Sequence, residues 1–123
     1  MTHRFDNYIN NAFVAPPSGR RMSTSNPFTG EVWAEVADDS GAVDDAVVSA
    51  RRALEEGPWS TMPGRERARL IMRLGEILTR DAVELAEAET RDNGKIIRET
   101  SSQTAGLQSY LDFFAGMADK LTG

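Results

Sequence analysis

The chain has 123 residues, 40% of them hydrophobic and 27% charged, with 19 acidic against 14 basic residues and a formal net charge of −5. That size and balance give one domain as the first expectation, able to bury a core without staples, and they exclude the clustered Lys/Arg footprint of a nucleic-acid binder. Zero cysteines exclude a disulfide framework and any thiolate metal site. With no apolar run in Met1 to Asn10 to act as a signal peptide and no stretch of the ~18 apolar residues a membrane span needs, a soluble, cytoplasmic chain is expected.

In chain order, Phe5 to Val14 reads as a short hairpin. Tyr8 and Ile9 precede Asn10-Asn11, a pair that tolerates the left-handed conformation, and Phe13-Val14 follow. Pro16, Pro17 and Gly19 break regular structure. A second hairpin-like unit follows, with Met22 to Ser25 as its first strand. Asn26-Pro27-Phe28-Thr29-Gly30 supplies a turn, and Glu31 to Val36 alternates, with Val32, Ala34 and Val36 on one side.

From Ser40 the apolar spacing changes from two to three-and-four. Ser40 is read as an N-cap, and Asp44 and Asp45 suit the positive end of the helix that follows. Its stripe is Val43, Ala46, Val47, Ala50 and Leu54, and Gly57-Pro58 is expected to stop it by the usual glycine cap. Pro63 suits the first turn of a second helix with the stripe Leu70, Ile71, Leu74, Ile77 and Leu78. A third helix, about Asp81 to Asp92, ends at Asn93-Gly94. A fourth begins near Ile97 to Thr100 and runs towards Leu121. Arg65, Arg67 and Arg69 read as a solvated, ion-paired face, Glu84, Glu87 and Glu89 as exposed carboxylates, and Trp33 and Trp59 as packing or edge residues.

The fourth helix is apolar on two sides. Leu107, Tyr110, Leu111, Phe114, Ala118 and Leu121 make one stripe, and Phe113 and Met117 another. A helix of that kind is normally sandwiched between other elements. Either the small domain folds around it, or its second face is left exposed and drives dye binding and self-association.

Four blocks and their spacing resemble a known family. Tyr8-Ile9-Asn10-Asn11-Ala12-Phe13-Val14 is similar to a "YINGxFV" opening, Asn26-Pro27-Phe28-Thr29-Gly30-Glu31-Val32 to "NPxTGEV", Asp92-Asn93-Gly94-Lys95 to "DNGK", and Phe113-Phe114-Ala115-Gly116-Met117-Ala118-Asp119-Lys120 to "YYAGxADK". Trp59 followed by Arg65-Glu66-Arg67-Ala68 resembles the family's entry to a helix. Together they resemble the N-terminal region of the NAD(P)-dependent aldehyde dehydrogenase superfamily.

The resemblance implies an α/β family fold with dinucleotide-binding, catalytic and oligomerisation parts. The segment itself is then α+β, two N-terminal β-hairpins followed by about four α-helices. Residues 1–39 would be the hairpin region and 40–123 the helical part of an incomplete dinucleotide-binding domain. The family oxidises aldehydes to carboxylic acids through a cysteine nucleophile, with a glutamate base and an asparagine at the oxyanion. Those residues and the cofactor's glycine turn lie later in the family sequence. The chain is therefore expected to be an inactive N-terminal fragment with no catalytic or cofactor-binding residue of its own. NAD or NADP belongs to the parent family and is not expected to bind this chain alone. The implied partners are the remainder of the dehydrogenase polypeptide and, for the family, further copies in a homo-oligomer.

Two carry-overs remain. Thr24, Ser25 and Asp92 match positions that hold a structural monovalent cation, and Ser102 and Gly106 match inward positions of the helix bordering the substrate tunnel, where small residues leave room for bulky aldehydes. Close helix packing is the other reading of Gly106, and a helix end that of Asp92. The competing view of the whole chain is a free-standing helical interaction module docking through the Phe113/Met117 face.

Overall fold

The computed structural model describes residues 2–38 and 40–120. It contains β1 (His3–Phe5), β2 (Asn7–Ile9), β3 (Ala12–Val14), β4 (Arg21–Ser25), β5 (Val32–Ala37), a 3-10 turn (Ser40–Ala42), α1 (Val43–Glu55), α2 (Gly64–Arg80), α3 (Ala82–Asn93) and α4 (Ile97–Ala115). The class is α+β with four α-helices, as expected. Two compact units divide the chain, Met1–Ser60 and Thr61–Gly123, so that α1 belongs with the strands.

In the first unit β2 and β3 form an antiparallel hairpin, with Tyr8 opposite Phe13 and Ile9 opposite Ala12. Asn10 and Asn11 both take positive φ, 53° and 62°. That is the backbone a two-residue loop needs to match the strands' twist, and Asn adopts it at low cost because its short side chain bonds locally. β4 and β5 pair antiparallel, with a register shift between Thr24 and Ser25. Their turn is closed by the Asn26 N–H donating to the Glu31 carbonyl at 2.9 Å and the Gly30 N–H to the Asn26 carbonyl at 2.8 Å. The Asn26 side chain accepts the Phe28 N–H at 2.9 Å, and Gly30 sits at φ 73°.

The strand β1 corrects the sequence reading. His3, Arg4 and Phe5 pair in parallel with Ala34, Glu35 and Val36, giving a three-stranded sheet β1-β5-β4. Phe5 therefore belongs to that sheet and not to the first hairpin. Three residues whose partner lies about thirty residues away leave no periodicity to read. Arg21 of β4 ties the kink after β1, pairing with the Asp6 carboxylate and donating to the Phe5 carbonyl at 3.3 Å. Trp33 packs as expected, its ring 6.0 Å from Phe5 and edge-on.

The helix ends differ in detail. The 3-10 turn occupies Ser40–Ala42, so the α-helix starts at Val43, with Ala42 and not Ser40 in the cap position. Gly57 does not take a left-handed φ. It is glycine for another reason: a Cβ there would lie 2.2 Å from the Ala53 carbonyl oxygen. The left-handed cap is at Gly94, φ 76°, whose N–H donates to the Thr90 carbonyl at 3.0 Å. Pro63 stands one residue before α2 as its N-cap and not within its first turn.

The predicted apolar stripes are largely uncovered. No residue of α1 is buried, and Val43, Val47 and Leu54 are exposed. In α2 the buried residues are Ala68 and Gly75, while Leu70 and Leu74 are exposed. α4 ends at Ala115, six residues short of Leu121, which lies outside the described residues, as does residue 39 at the expected hairpin–helix boundary. Met117 and Ala118 follow in successive tight turns, closed by the Met117 N–H to the Phe114 carbonyl and the Ala118 N–H to the Ala115 carbonyl, both 3.1 Å.

Candidate functional site

Within the second unit α4 packs between α2 and α3, and its most deeply buried residues are small or polar. Thr100 is fully buried, and its hydroxyl lies 2.8 Å from that of Thr90 on α3 and donates to the Ile97 carbonyl at 3.0 Å. One turn on, the Thr104 hydroxyl donates to the Thr100 carbonyl at 3.0 Å. Against α2, the Thr79 hydroxyl bonds the Gln108 side-chain oxygen at 2.8 Å, and a Cβ on Gly75 would come within 3.3 Å of the Gln108 side chain. Gly75 is thus what lets the two helices approach. Ala115 closes the inner line. The spacing Thr100, Thr104, Leu107-Gln108, Leu111, Ala115 is the helical repeat of one face. It was hidden in the sequence because two of its members are threonines, which read as polar.

The inner line decides what faces away. Ser102 and Gly106, one turn apart, are both exposed, and a Cβ at Gly106 would meet nothing within 4 Å. Within the described residues no helix packs against Gly106, and the position opens on free space. Further along, Phe113 is exposed at 65% and Met117 at 42%. The first stripe is no better covered at its end: Tyr110 is 62% and Phe114 50% exposed, and their rings lie 4.8 Å apart. The outer side of α4 thus runs from a small, open half (Ser102, Gly106) to an aromatic half (Tyr110, Phe113, Phe114).

The cation residues sit in two different units. Thr24 and Ser25 flank the register shift at the end of β4, Thr24 half-buried and Ser25 exposed. Asp92 is exposed in the last turn of α3, beside Asn93, whose side-chain oxygen accepts the Lys95 N–H at 2.8 Å. Among the described residues no group of three or more His, Cys, Asp and Glu side chains could hold a metal ion. Lys95 is used structurally, bridging Glu89 at 3.1 Å and Gln103 at 2.5 Å.

Two surface carboxyls are held below their ordinary range. Arg80 does this to Asp81, first by a donated hydrogen bond, and Lys120 does the same to Asp119. Both partners are sequence neighbours in exposed positions, so these shifts mark local pairs and no reaction centre. In the first unit, a cleft of about 550 Å³ lies between the β2–β3 turn and α1, with Tyr8 and Asn10 on one wall and Ala46 and Ala53 on the other. Arg52 bridges it by donating to the Asn10 side-chain oxygen at 2.7 Å.

Comparison with known proteins defines the class. The model of the aldehyde dehydrogenase family matches residues 13–123. The chain is 38% identical over 121 residues to the (Z)-2-((N-methylformamido)methylene)-5-hydroxybutyrolactone dehydrogenase of Acinetobacter baylyi, covering 98% of this chain and 24% of that protein. It is 39% identical to the mitochondrial aldehyde dehydrogenase family 2 member B4 of Arabidopsis thaliana, covering 94% of this chain and 22% of the relative. The NAD+ complex of aldehyde dehydrogenase from Bacillus cereus superposes with a TM-score of 0.91 at 33% identity, covering 98% of this chain and 25% of that one.

The chain belongs to the aldehyde dehydrogenase family and corresponds to its N-terminal region. It spans about a quarter of the length of the relatives it matches. No helix among the described residues is long and apolar enough to cross a membrane.

Proposed function

We propose that this chain is the leading part of an NAD(P)-dependent enzyme that oxidises aldehydes to carboxylic acids, and that it acts as scaffold and tunnel wall without supplying the reacting groups. The observation that carries this is the inversion of sizes across α4. The residues it buries are Thr100, Thr104 and Ala115, while Tyr110, Phe113 and Phe114 are exposed. A helix layer finished in this way has apolar surface left for more polypeptide. The relatives' additional three quarters of length supply a source for it.

The chain's residues do not fit a dinucleotide. No Gly-rich loop with a phosphate-cradling nest occurs in the sequence, and no cysteine is present to attack a carbonyl. No reaction step is therefore assigned to these residues, and the NAD or NADP of the parent family would be held elsewhere. On this reading Ser102 and Gly106 border the substrate tunnel, and their open surroundings suit bulky aldehydes. Thr24, Ser25 and Asp92 keep the cation role on resemblance alone. The free-standing module shares the exposed Phe113/Met117 face but leaves the quarter-length match without a reason.

The test is a chimera in which residues 2–120 replace the matching quarter of the Bacillus cereus enzyme. An active, NAD+-reducing chimera is expected, and an insoluble or inactive one counts against the scaffold role. Within the active chimera, Gly106→Leu is sterically tolerated by α4 itself. It should lower kcat/KM for a bulky aromatic aldehyde by about tenfold relative to acetaldehyde, which corresponds to ~1.4 kcal/mol. An unchanged ratio removes Ser102 and Gly106 from the tunnel.

A further inference from the structure

The corner between α3 and α4 carries a backbone step with chemistry of its own. Asn93 is followed by Gly94, whereas Asn7, Asn10, Asn11 and Asn26 are followed by Tyr8, Asn11, Ala12 and Pro27. An asparagine side chain can be attacked at Cγ by the backbone nitrogen of the next residue. A side chain on that residue crowds the approach, and proline has no N–H to give up. Glycine leaves the path clear and the backbone free to reach it. Asn93 and Gly94 are both exposed, so water reaches the step.

The fold holds the two reacting groups apart. Asn93 is the last residue of α3. In a helix the Cα–Cβ bond leans towards the N-terminus, away from the next residue's nitrogen. The Gly94 N–H points back along the axis and donates to the Thr90 carbonyl at 3.0 Å. Asn93 Oδ1 accepts the Lys95 N–H at 2.8 Å, and Asn93 Nδ2 donates to Glu89 Oε1 at 3.5 Å. Thr90 is clasped to α4 in its turn, its hydroxyl 2.8 Å from that of the fully buried Thr100. Nucleophile, electrophile and acceptor are thus tied by separate bonds, and attack requires the last turn of α3 to open.

We propose that Asn93-Gly94 is a latched self-modification site, closed while Gly94 is bonded to Thr90 and converted to aspartate and isoaspartate when the latch opens. The Gly94 nitrogen gives up its proton and bonds to Asn93 Cγ. The Cγ–Nδ2 bond breaks, ammonia leaves with that proton, and a succinimide ring remains. Water then opens the ring at Cγ to leave aspartate, or at the main-chain carbonyl to leave isoaspartate. The product does not restore the latch. A carboxylate at position 93 replaces the amide donor to Glu89 by an acceptor, and like charges four residues apart on a helix repel. It also sets negative charge at the negative end of α3. Lys95, already bridging Glu89 at 3.1 Å and Gln103 at 2.5 Å, then has two carboxylates to serve. Isoaspartate further inserts a carbon into the main chain just before Gly94, which takes its N–H out of register with the Thr90 carbonyl. Modification therefore records past openings of the α3–α4 corner. This goes beyond the dehydrogenase reading and does not rest on it, because its readouts need no activity.

The test uses the 123-residue chain in mildly alkaline buffer, followed by intact mass, peptide mapping and enzymatic methylation of isoaspartate. In denaturing urea the amide-to-acid mass gain should map first to Asn93 and run at least about tenfold faster than in the native chain, the difference being the closed latch. Thr90→Val and Thr100→Val each remove one hydroxyl of the clasp and keep the volume. The variant that retains the parent's far-UV CD spectrum should deamidate at Asn93 about three- to tenfold faster than the native parent, the range that loss of one hydrogen bond allows. Asn93→Gln, whose longer side chain closes the ring far more slowly, should remove the gain. Equal rates in urea and in native buffer overturn the proposal, as does a gain in urea that maps first to Asn7, Asn10, Asn11 or Asn26. Native rates unchanged in both threonine variants overturn it as well.

Discussion

The strand-rich first unit and the helical second unit are specified in opposite ways. In the first, the backbone is set at turns: Asn10-Asn11 at positive φ, and Asn26 to Gly30 closed by its own side chain and backbone. Each can be read from a few neighbouring residues. In the second, order comes from approach between distant helices. Gly75 admits Gln108, Thr79 bonds Gln108, and Thr90 bonds Thr100. Local chemistry can thus define a shape with little interior, whereas a helix layer needs fitted contacts and leaves its large side chains for something else.

The sharpest way to break this contrast is to spoil a fitted contact. Gly75→Leu pushes four carbons into the space held by Gln108 and should cost about 3 kcal/mol, the upper end of overpacking. The loss should show as faster amide exchange along α2 and α4. If protection in the β2–β3 hairpin falls equally, the two regions are not separately specified. Thr100→Val keeps the volume but removes the hydroxyl shared with Thr90, and about 1–2 kcal/mol should be lost in urea unfolding of the helical unit. In the first region, Asn11→Gly relieves the left-handed cost and should raise hairpin protection by about 0.5 kcal/mol, whereas no glycine substitution in α4 should stabilise it.

The smallest effect concerns pH. Asp81 has its folded pKa lowered by the hydrogen bond from Arg80. Its contribution is therefore present above the ordinary carboxylate value of ~3.9 and lost as pH falls through the lower folded value. Because the pair is solvent-exposed, 1 M salt should erase the difference between the parent and Asp81→Asn in that acid window.

Much of the fold was legible in the sequence. Both turns and the order of four helices follow from Asn, Pro and Gly positions and from the three-and-four spacing. The parallel pairing of His3–Phe5 was not legible, because its partner lies far along the chain. Nor was the direction in which the helices face. The apolar stripes identify a helix, and inside-out packing then places Ala68, Gly75, Ala86, Thr100 and Thr104 inward and leaves Val47, Leu70, Leu74 and Phe114 exposed. For the candidate tunnel residues, Ser102 and Gly106 were found by resemblance. What the structure adds is the free space beside Gly106.

One consequence follows from the hydroxyl pair of Thr90 and Thr100. Greasy contacts tolerate sliding and spinning, but a hydrogen bond has a direction and fails when a donor rotates away. Anchored at 2.8 Å, with the Gly94 bend just upstream, α4 has its azimuth fixed about its own axis, like a keyed shaft. Which residues look outward is thereby decided before any neighbour arrives, so the helix can meet a partner without first searching for its orientation.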